Sequence, residues 1–152
     1  MTTQMTAPAR QGETVRVALW AALAMLGLAV LGGPAGATHA ADHRFIVIGY
    51  VTDGAGRALP DVPVVVTRVK TGLEYPTRTE RDGLYVVIVH LHDEDEGDRL
   101  SISANGVGGD VRARFDVHQK RIERGIRVDV RAGRLVEDRR GFAETLRAYL
   151  AR

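Results

Sequence analysis

Short apolar runs separated by glycine-rich turns are the main pattern of this chain. The segment 45–85 holds three runs of strand length, and glycine-bearing turns stand at 53–56 and 81–83. Runs of β-branched and aromatic residues bounded by such turns are typical of antiparallel strands. Read to the end of the chain, the pattern predicts seven strands, at 45–52, 62–69, 73–79, 84–91, 99–104, 111–117 and 125–130.

The spacing of these strands predicts their arrangement. Seven short strands with a turn about every eight to twelve residues indicate an all-β sandwich of two sheets. Both faces of 45–52 are apolar, so this strand is predicted to be covered on each side. Pro76 lies inside 73–79, and that segment is predicted to be an edge strand because proline cannot donate to a sheet ladder. The segment 105–109 (NGVGG) is predicted to be a turn.

The last segment, 135–152, has helical rather than strand periodicity. Phe142, Leu146, Tyr149 and Leu150 lie at i, i+4, i+7 and i+8, which predicts one apolar stripe on a short amphipathic helix beginning near Phe142. This stripe either packs on the sandwich or contacts a membrane surface or a partner groove, because arginines flank it.

The N-terminal segment has the pattern of a secretory signal peptide. A 14-residue uncharged run, 17–30, follows Arg10 and Arg16 and precedes small residues at 35–41. We expect cleavage after Ala40, and therefore a signal peptide at 1–40, a sandwich at 41–133 and a helical tail at 134–152. This organisation predicts a periplasmic or secreted protein that is not an integral membrane protein after cleavage. The chain contains no cysteine, so export adds no disulfide.

Charge is distributed unevenly along the predicted mature chain. Residues 41–111 carry 7 Lys/Arg and 12 Asp/Glu, whereas residues 112–152 carry 12 and 6. The basic residues alternate with apolar ones, as on strands with one solvated face, although an acidic partner or membrane surface is the alternative. Nucleic acid is not expected, because no aromatic residues are interspersed among the basic ones.

Three stretches carry a family resemblance: GYVTDGAGRALPDVPVVV, TRTERDGLYVV and GDRLSISANG. They resemble the carboxypeptidase regulatory-like domain of the transthyretin (prealbumin-like) superfamily over about residues 44–130. The matching positions are Gly49, Asp53, Gly56, Pro60, Asp61, Thr79, Asp82, Gly83, Tyr85, Gly97, Asp98 and Leu100. The resemblance implies a seven-stranded antiparallel prealbumin-like sandwich, in a family of mostly accessory, adhesive or carbohydrate-associated modules.

One candidate site is the pair His90 and His92, followed by the acidic run 93–98. On a strand the two histidines point to the same face, a spacing that a metal site can use, and the carboxylates are ligands suited to calcium. The alternative is a solvated charged loop, since no EF-hand spacing is present.

A second candidate depends on the cleavage site. Cleavage after Ala40 would leave Ala41, Asp42 and His43 at the N-terminus. The free amine, two backbone amides and the imidazole would then suit square-planar Cu(II) or Ni(II). Cleavage one residue away abolishes this site.

An enzyme is the least favoured class. Intradiol ring-cleaving dioxygenases share part of this sandwich topology and hold iron with two tyrosines and two histidines, and Tyr75, Tyr85, His90 and His92 are residues of those types. Their separations depart from that pattern. The Tyr-Arg-Gly-Ser tail of transthyretin-like hydroxyisourate hydrolases is absent, and Ser101 and Ser103 lack a nucleophile-elbow motif.

The sequence thus predicts an exported, non-catalytic binding module without a cofactor. Its expected contacts with a protein, cell-envelope or carbohydrate partner lie on loops: Asp93, Glu94, Asp95, Glu96 and Asn105. The alternative is a periplasmic divalent-metal-binding protein that uses His90, His92 and the carboxylates, with His43 as a further ligand. Its candidate ions are Cu(II), Ni(II), Zn(II) and Ca(II).

Overall fold

Two four-stranded sheets pack face to face in the computed structural model, which describes residues 43–152. The strands are β1 (Arg44–Thr52), β2 (Pro63–Arg68), β3 (Leu73–Arg78), β4 (Leu84–His90), β5 (Arg99–Ala104), β6 (Val107–Arg112), β7 (Arg124–Arg131) and β8 (Arg134–Glu137). A 3₁₀ turn, Asp93–Asp95, follows β4, and one helix, α1 (Phe142–Leu150), follows β8. The predicted signal peptide, 1–40, lies outside the described residues.

The first sheet has the order β4-β1-β7-β8 and the second the order β3-β2-β5-β6. The all-β sandwich is confirmed, with eight strands among the described residues instead of the predicted seven. The prediction of a wholly antiparallel sandwich is wrong at one pair, because β1 and β7 run parallel. Two parallel strands must be joined by a long crossover connection. Here the chain between β1 and β7 forms all four strands of the second sheet, and β4 of the first.

The core lies between the sheets. Seventeen buried apolar residues form it, and β1 contributes Phe45, Val47 and Val51 to it. The alternate β1 residues Ile46 and Ile48 point to the outer face, where α1 covers them. Strand β1 is therefore covered on both sides, as its two apolar faces predicted.

Turn chemistry explains the hairpins, including one that the sequence pattern misplaced. Gly83 has φ 78° and would bring a Cβ within 2.7 Å of the Val51 carbonyl, so the predicted 81–83 turn requires glycine. In 105–109 only Asn105 and Gly106 adopt positive φ, at 50° and 73°. This two-residue Asn-Gly turn lets β6 begin at Val107, four residues before the predicted strand.

The C-terminal segment combines a strand and a helix. The prediction of a wholly helical tail from residue 134 is wrong, since Arg134–Glu137 forms edge strand β8 after a turn at Ala132 and Gly133. Helix α1 begins at Phe142, as its periodicity predicted, and Phe142 and Leu146 are buried against the first sheet. Proline-containing β3 lies at a sheet edge, which confirms that prediction.

Within 43–152 there is no helix with the length and apolarity needed to cross a membrane.

Candidate functional site

Three histidines meet at the end of the first sheet where β1 begins and β4 ends. In the antiparallel β1–β4 register Arg44 lies opposite His90, and the Leu91 N–H donates to the His43 carbonyl at 3.0 Å. His92 lies just beyond Leu91, before the 3₁₀ turn. Strand pairing therefore brings His43 beside His90 and His92, although almost fifty positions separate it from them in the sequence.

The three imidazole rings lie close together. The His43 ring centroid lies 4.4 Å from that of His92 and 5.6 Å from that of His90, and the His90 and His92 centroids are 4.8 Å apart. An ion bound through imidazole nitrogens lies about 3.2 Å from each ring centroid, given a metal–nitrogen bond of about 2.0–2.1 Å. Two such rings at an angle of about 90–110° are then about 4.5–5.2 Å apart. The separation of His90 and His92 falls within this range, that of His43 and His92 lies just below it, and that of His43 and His90 lies above it.

His43 also contains an unpartnered atom. Its buried Nδ1 has no hydrogen-bond partner, and across 43–152 no other buried side-chain nitrogen or oxygen is left without one. A buried imidazole nitrogen without a partner has a lone pair or a proton to offer to a ligand. The same residues contain no group of three or more His, Cys, Asp or Glu side chains already arranged to hold a metal ion. Ion binding therefore requires the rings to rotate within the cluster.

A buried carboxylate fixes the loop that follows His92. Asp95 is 3% exposed, and its Oδ2 accepts a hydrogen bond from the His92 N–H at 2.9 Å. It also forms ion pairs with Arg68 and with Lys70, whose Nζ lies 3.0 Å from Oδ1. Burial alone would raise the pKa of Asp95, but the bonds from His92 and Lys70 and the charge of Arg68 lower it to about 2. Asp95 therefore stays ionised and holds His92 in place.

The other aspartates of the loop are also paired within the protein. Asp93 accepts from Lys120 at 2.6 Å and from Arg124 at 2.8 Å, and these bonds lower the pKa of its carboxyl. Asp98 accepts from Arg68 Nε at 2.9 Å. Asp93, Asp95 and Asp98 are thus engaged in internal ion pairs. The expectation that the acidic run offers a set of calcium ligands is therefore wrong.

Asp93, Glu94 and Glu96 are the exposed acids of this loop, and of these Asp93 forms the ion pairs described above. Asn105, the other predicted contact, is exposed in the turn that ends β5, whereas the acidic loop precedes the start of β5. The six residues of β5 span about 20 Å, so Asn105 and the acidic loop lie at opposite ends of the sandwich. The predicted loop contacts do not form one surface.

The two tyrosines proposed as iron ligands are separated. The Tyr75 hydroxyl accepts a hydrogen bond from the His90 N–H at 3.4 Å and so lies beside the cluster. Tyr85 is 1% exposed, and its hydroxyl donates to the Val128 carbonyl at 2.6 Å. Burial raises the pKa of Tyr85 far above its usual value, which keeps the phenol neutral. The predicted set of two tyrosines and two histidines is therefore incomplete.

Sequence reasoning described His43 and the His90/His92 pair as two candidate sites, and joined them only in the metal-binding alternative, where no structural reason brought them together. The signal that joins them is the antiparallel pairing of β1 with β4, which follows from the register but not from any local motif. The cations that neutralise the acidic loop, Arg68, Lys70, Lys120 and Arg124, were missed because they lie 25 to 31 positions from their partners.

Comparisons with known proteins give structural neighbours alone. No protein-family model matches the chain, and no curated protein matches it. Among solved structures, it is similar to catechol 1,2-dioxygenase from Acinetobacter sp. ADP1 inhibited by bound mercury, at 15% identity and a TM-score of 0.39. That match covers 69% of this chain and 55% of the dioxygenase chain, so this chain spans about half the length of that protein.

A second similar structure is the dioxygenase domain of a dioxygenase carbohydrate-binding protein fusion from Streptomyces sp. SirexAA-E. It is 11% identical with a TM-score of 0.37, and the match covers 66% of this chain and 79% of that one. Structural similarity at these TM-scores does not identify functional residues in this chain.

These comparisons correct the predicted function. Both matched structures are of dioxygenases, and so they disagree with the predicted non-catalytic binding module and with its alternative, a divalent-metal-binding protein that uses His90, His92 and the carboxylates. The predicted enzyme alternative agrees with them at the level of enzyme class.

Proposed function

We propose that residues 43–152 form a small metal-dependent enzyme whose centre is the cluster of His43, His90 and His92. The observation that supports this proposal is the meeting of three imidazole rings, with centroids 4.4, 4.8 and 5.6 Å apart, at one end of a rigid sheet. The unpartnered Nδ1 atom of His43 adds a donor that the fold does not otherwise use.

Three protein ligands favour catalysis over a structural role. Structural zinc sites are closed by four protein ligands, whereas catalytic sites keep three and leave one position for water or substrate. Imidazole suits zinc, copper, iron and nickel, while calcium and magnesium prefer oxygen. An ion held in this way acts as a Lewis acid on a molecule bound at the open position.

The surrounding residues would position the cluster and its substrate. Asp95 anchors the His92 backbone, and its own ion pairs with Arg68 and Lys70 tie the loop after His92 to the second sheet. Tyr75 places a hydroxyl beside His90, where it is available to donate a hydrogen bond to a molecule bound at the cluster.

We also propose that the sandwich is prealbumin-like, as the carboxypeptidase regulatory-like motifs suggested. The left-handed glycines of the Asp53–Gly56 and Arg81–Gly83 turns support this proposal, because they lie at the positions that the resemblance names.

Metal titration of the purified full chain tests the proposed centre. We expect Zn(II), Cu(II), Ni(II) or anaerobic Fe(II) to bind at one equivalent, and His90→Ala and His92→Ala each to weaken binding at least tenfold. His118→Ala is the matched control, because His118 is exposed and lies outside the cluster. In the full chain residue 41 is internal, so binding there cannot come from a free amine at Ala41.

The proposal of metal-dependent catalysis is tested with the same purified full chain. The metal-loaded full chain is assayed for ester hydrolysis and for oxygen consumption, and activity is expected to disappear on chelation and in His92→Ala. The metal centre would be contradicted if none of the four ions bound stoichiometrically. It would also be contradicted if His118→Ala weakened metal binding as much as the His90 and His92 variants do. Turnover that survives chelation would contradict metal-dependent catalysis.

A further inference from the structure

A second candidate site lies at the open edge of the sandwich, away from the histidine cluster. Edge strand β6 of one sheet approaches edge strand β8 of the other, and a cleft of roughly 330 Å³ opens beside them. Four arginines and two acids line it: Arg99, Arg112, Arg114, Arg139, Asp110 and Glu137. None of these residues belongs to the cluster of His43, His90 and His92, so this inference does not rest on the proposed function.

The arginines of the cleft are only partly neutralised. Arg139 pairs with Glu137 at 3.1 Å and Arg99 with Asp110 at 3.5 Å, and all four side chains are about half exposed. Such exposed pairs contribute little and exchange readily with another anion. Four guanidinium groups against two carboxylates leave an excess of two positive charges.

Two of these arginines have no carboxylate partner. Arg112 donates to the Gly97 carbonyl at 3.1 Å. Arg114 is exposed and has neither a hydrogen bond nor an ion pair with any other residue in the described range 43–152. Val111 and Ala113 are buried in the core, whereas Arg112 at the end of β6 and Arg114 two residues beyond it are exposed. Both guanidinium groups therefore line the cleft beside the end of β6.

Guanidinium groups that share a concave surface repel one another until an anion bridges them. Each one presents a planar fork of donors that matches the two oxygens of a carboxylate or phosphate. The volume of the cleft suits a small molecule. We propose that this cleft binds a small ligand that carries at least two oxyanion groups, either carboxylates or phosphates.

Titration of the metal-free full chain with two probes tests this proposal. Succinate tests the carboxylate arm and pyrophosphate the phosphate arm, each followed by calorimetry and by NMR signals of the arginine Nε–H groups. We expect at least one probe to bind with a dissociation constant below about 1 mM and to weaken as salt rises. Arg114→Glu should weaken this binding at least tenfold.

The matched control is Arg81→Glu. Arg81 is likewise exposed and without a bonded partner among residues 43–152, but it lies in the β3–β4 turn, outside the cleft. This control should change the affinity less than twofold. If Arg114→Glu alters the circular dichroism spectrum, Arg114→Gln replaces it with the same expectation. Binding of neither probe at 10 mM, or equal losses in the Arg114 and Arg81 variants, would overturn the proposal.

Discussion

Gly49 of β1 lies where there is no room for a side chain. A Cβ at this position would collide with the Val128 carbonyl of β7 and lie 3.1 Å from the Tyr85 ring. The Tyr85 hydroxyl donates to that same carbonyl, so backbone and side chain are both packed against it. A side chain on Gly49 would have to displace two buried groups at once.

We expect Gly49→Ala to destabilise the protein by about 3 kcal/mol, because overpacking a well-packed core costs about this much. Gly54→Ala is the matched control, since a Cβ there would meet nothing within 4 Å. The control should change the free energy of unfolding by less than about 0.5 kcal/mol. Urea unfolding monitored by circular dichroism measures both. Equal stability of the two variants would contradict the steric argument.

Among the elements, α1 depends most clearly on tertiary packing. It has nine residues, fewer than an isolated helix needs to be stable in water. Phe142 and Leu146 pack on Ile46, Ile48 and Leu84 of the first sheet. The helix therefore forms because its apolar stripe is buried on the sandwich, which agrees with the docking alternative of the sequence analysis.

We expect Phe142→Ala to destabilise the protein by about 2–4 kcal/mol, through loss of buried aromatic surface and the cavity that remains. The amides of α1 should then exchange with solvent faster than those of β1. Leu150→Ala is the control, because Leu150 is 71% exposed and should contribute less than about 0.5 kcal/mol. Hydrogen exchange read by mass spectrometry distinguishes local undocking from global unfolding. Unchanged protection of α1 in Phe142→Ala would show that the helix is held by other contacts.

At the scale of the whole molecule, Asp95 links acid stability to the loop that follows His92. Its pKa is about 2 in the folded protein against 3.8 for an unperturbed aspartate. A depressed folded pKa stabilises the protein above the unfolded value, and this contribution is lost as pH falls toward the folded value. The stability that Asp95 supplies is therefore complete above about pH 5, is lost progressively as pH falls through the folded pKa of about 2, and disappears only near pH 1.

We expect Asp95→Asn to cost about 2–3 kcal/mol at pH 7, because it removes one partner from a buried ion pair. The difference from the natural protein should shrink steadily between about pH 5 and pH 2, because about half of the folded-state carboxyl is neutral at pH 2. Glu94→Gln, at the exposed neighbouring acid, should follow the natural pH profile throughout. Chemical unfolding at pH 7, 4, 3 and 2 measures the trend. A difference at pH 2 as large as that at pH 7 would show that the amide disturbs packing rather than charge.

Much of the fold was predictable because it follows from local chemistry. Alternating apolar positions predicted most strands, Pro76 predicted the edge position of β3, and helical periodicity placed the start of α1. Strand β6 was misplaced because Gly108 and Gly109 resemble turn residues, although the turn needs only Asn105 and Gly106. Strand β8 was missed because its four mostly exposed residues carry little apolar signal.

The candidate site was less predictable. The three histidines and the spacing of His90 and His92 can be read from the sequence. The position of His43 beside them depends on the register of β1 against β4. The acidic loop appeared to be a set of ligands because its neutralising cations lie 25 to 31 positions away. Charge pairing at that separation has no local signature.

Local patterns were sufficient to predict a β-sandwich with a helix near its end, because hydrophobic periodicity and turn residues act within a few positions of one another. Three features became visible only in the folded chain: β1 and β7 run parallel, three histidines meet, and four arginines line one cleft. These arrangements depend on which distant strands become neighbours. That choice is made by the packing of the whole core, to which each local segment contributes only a part.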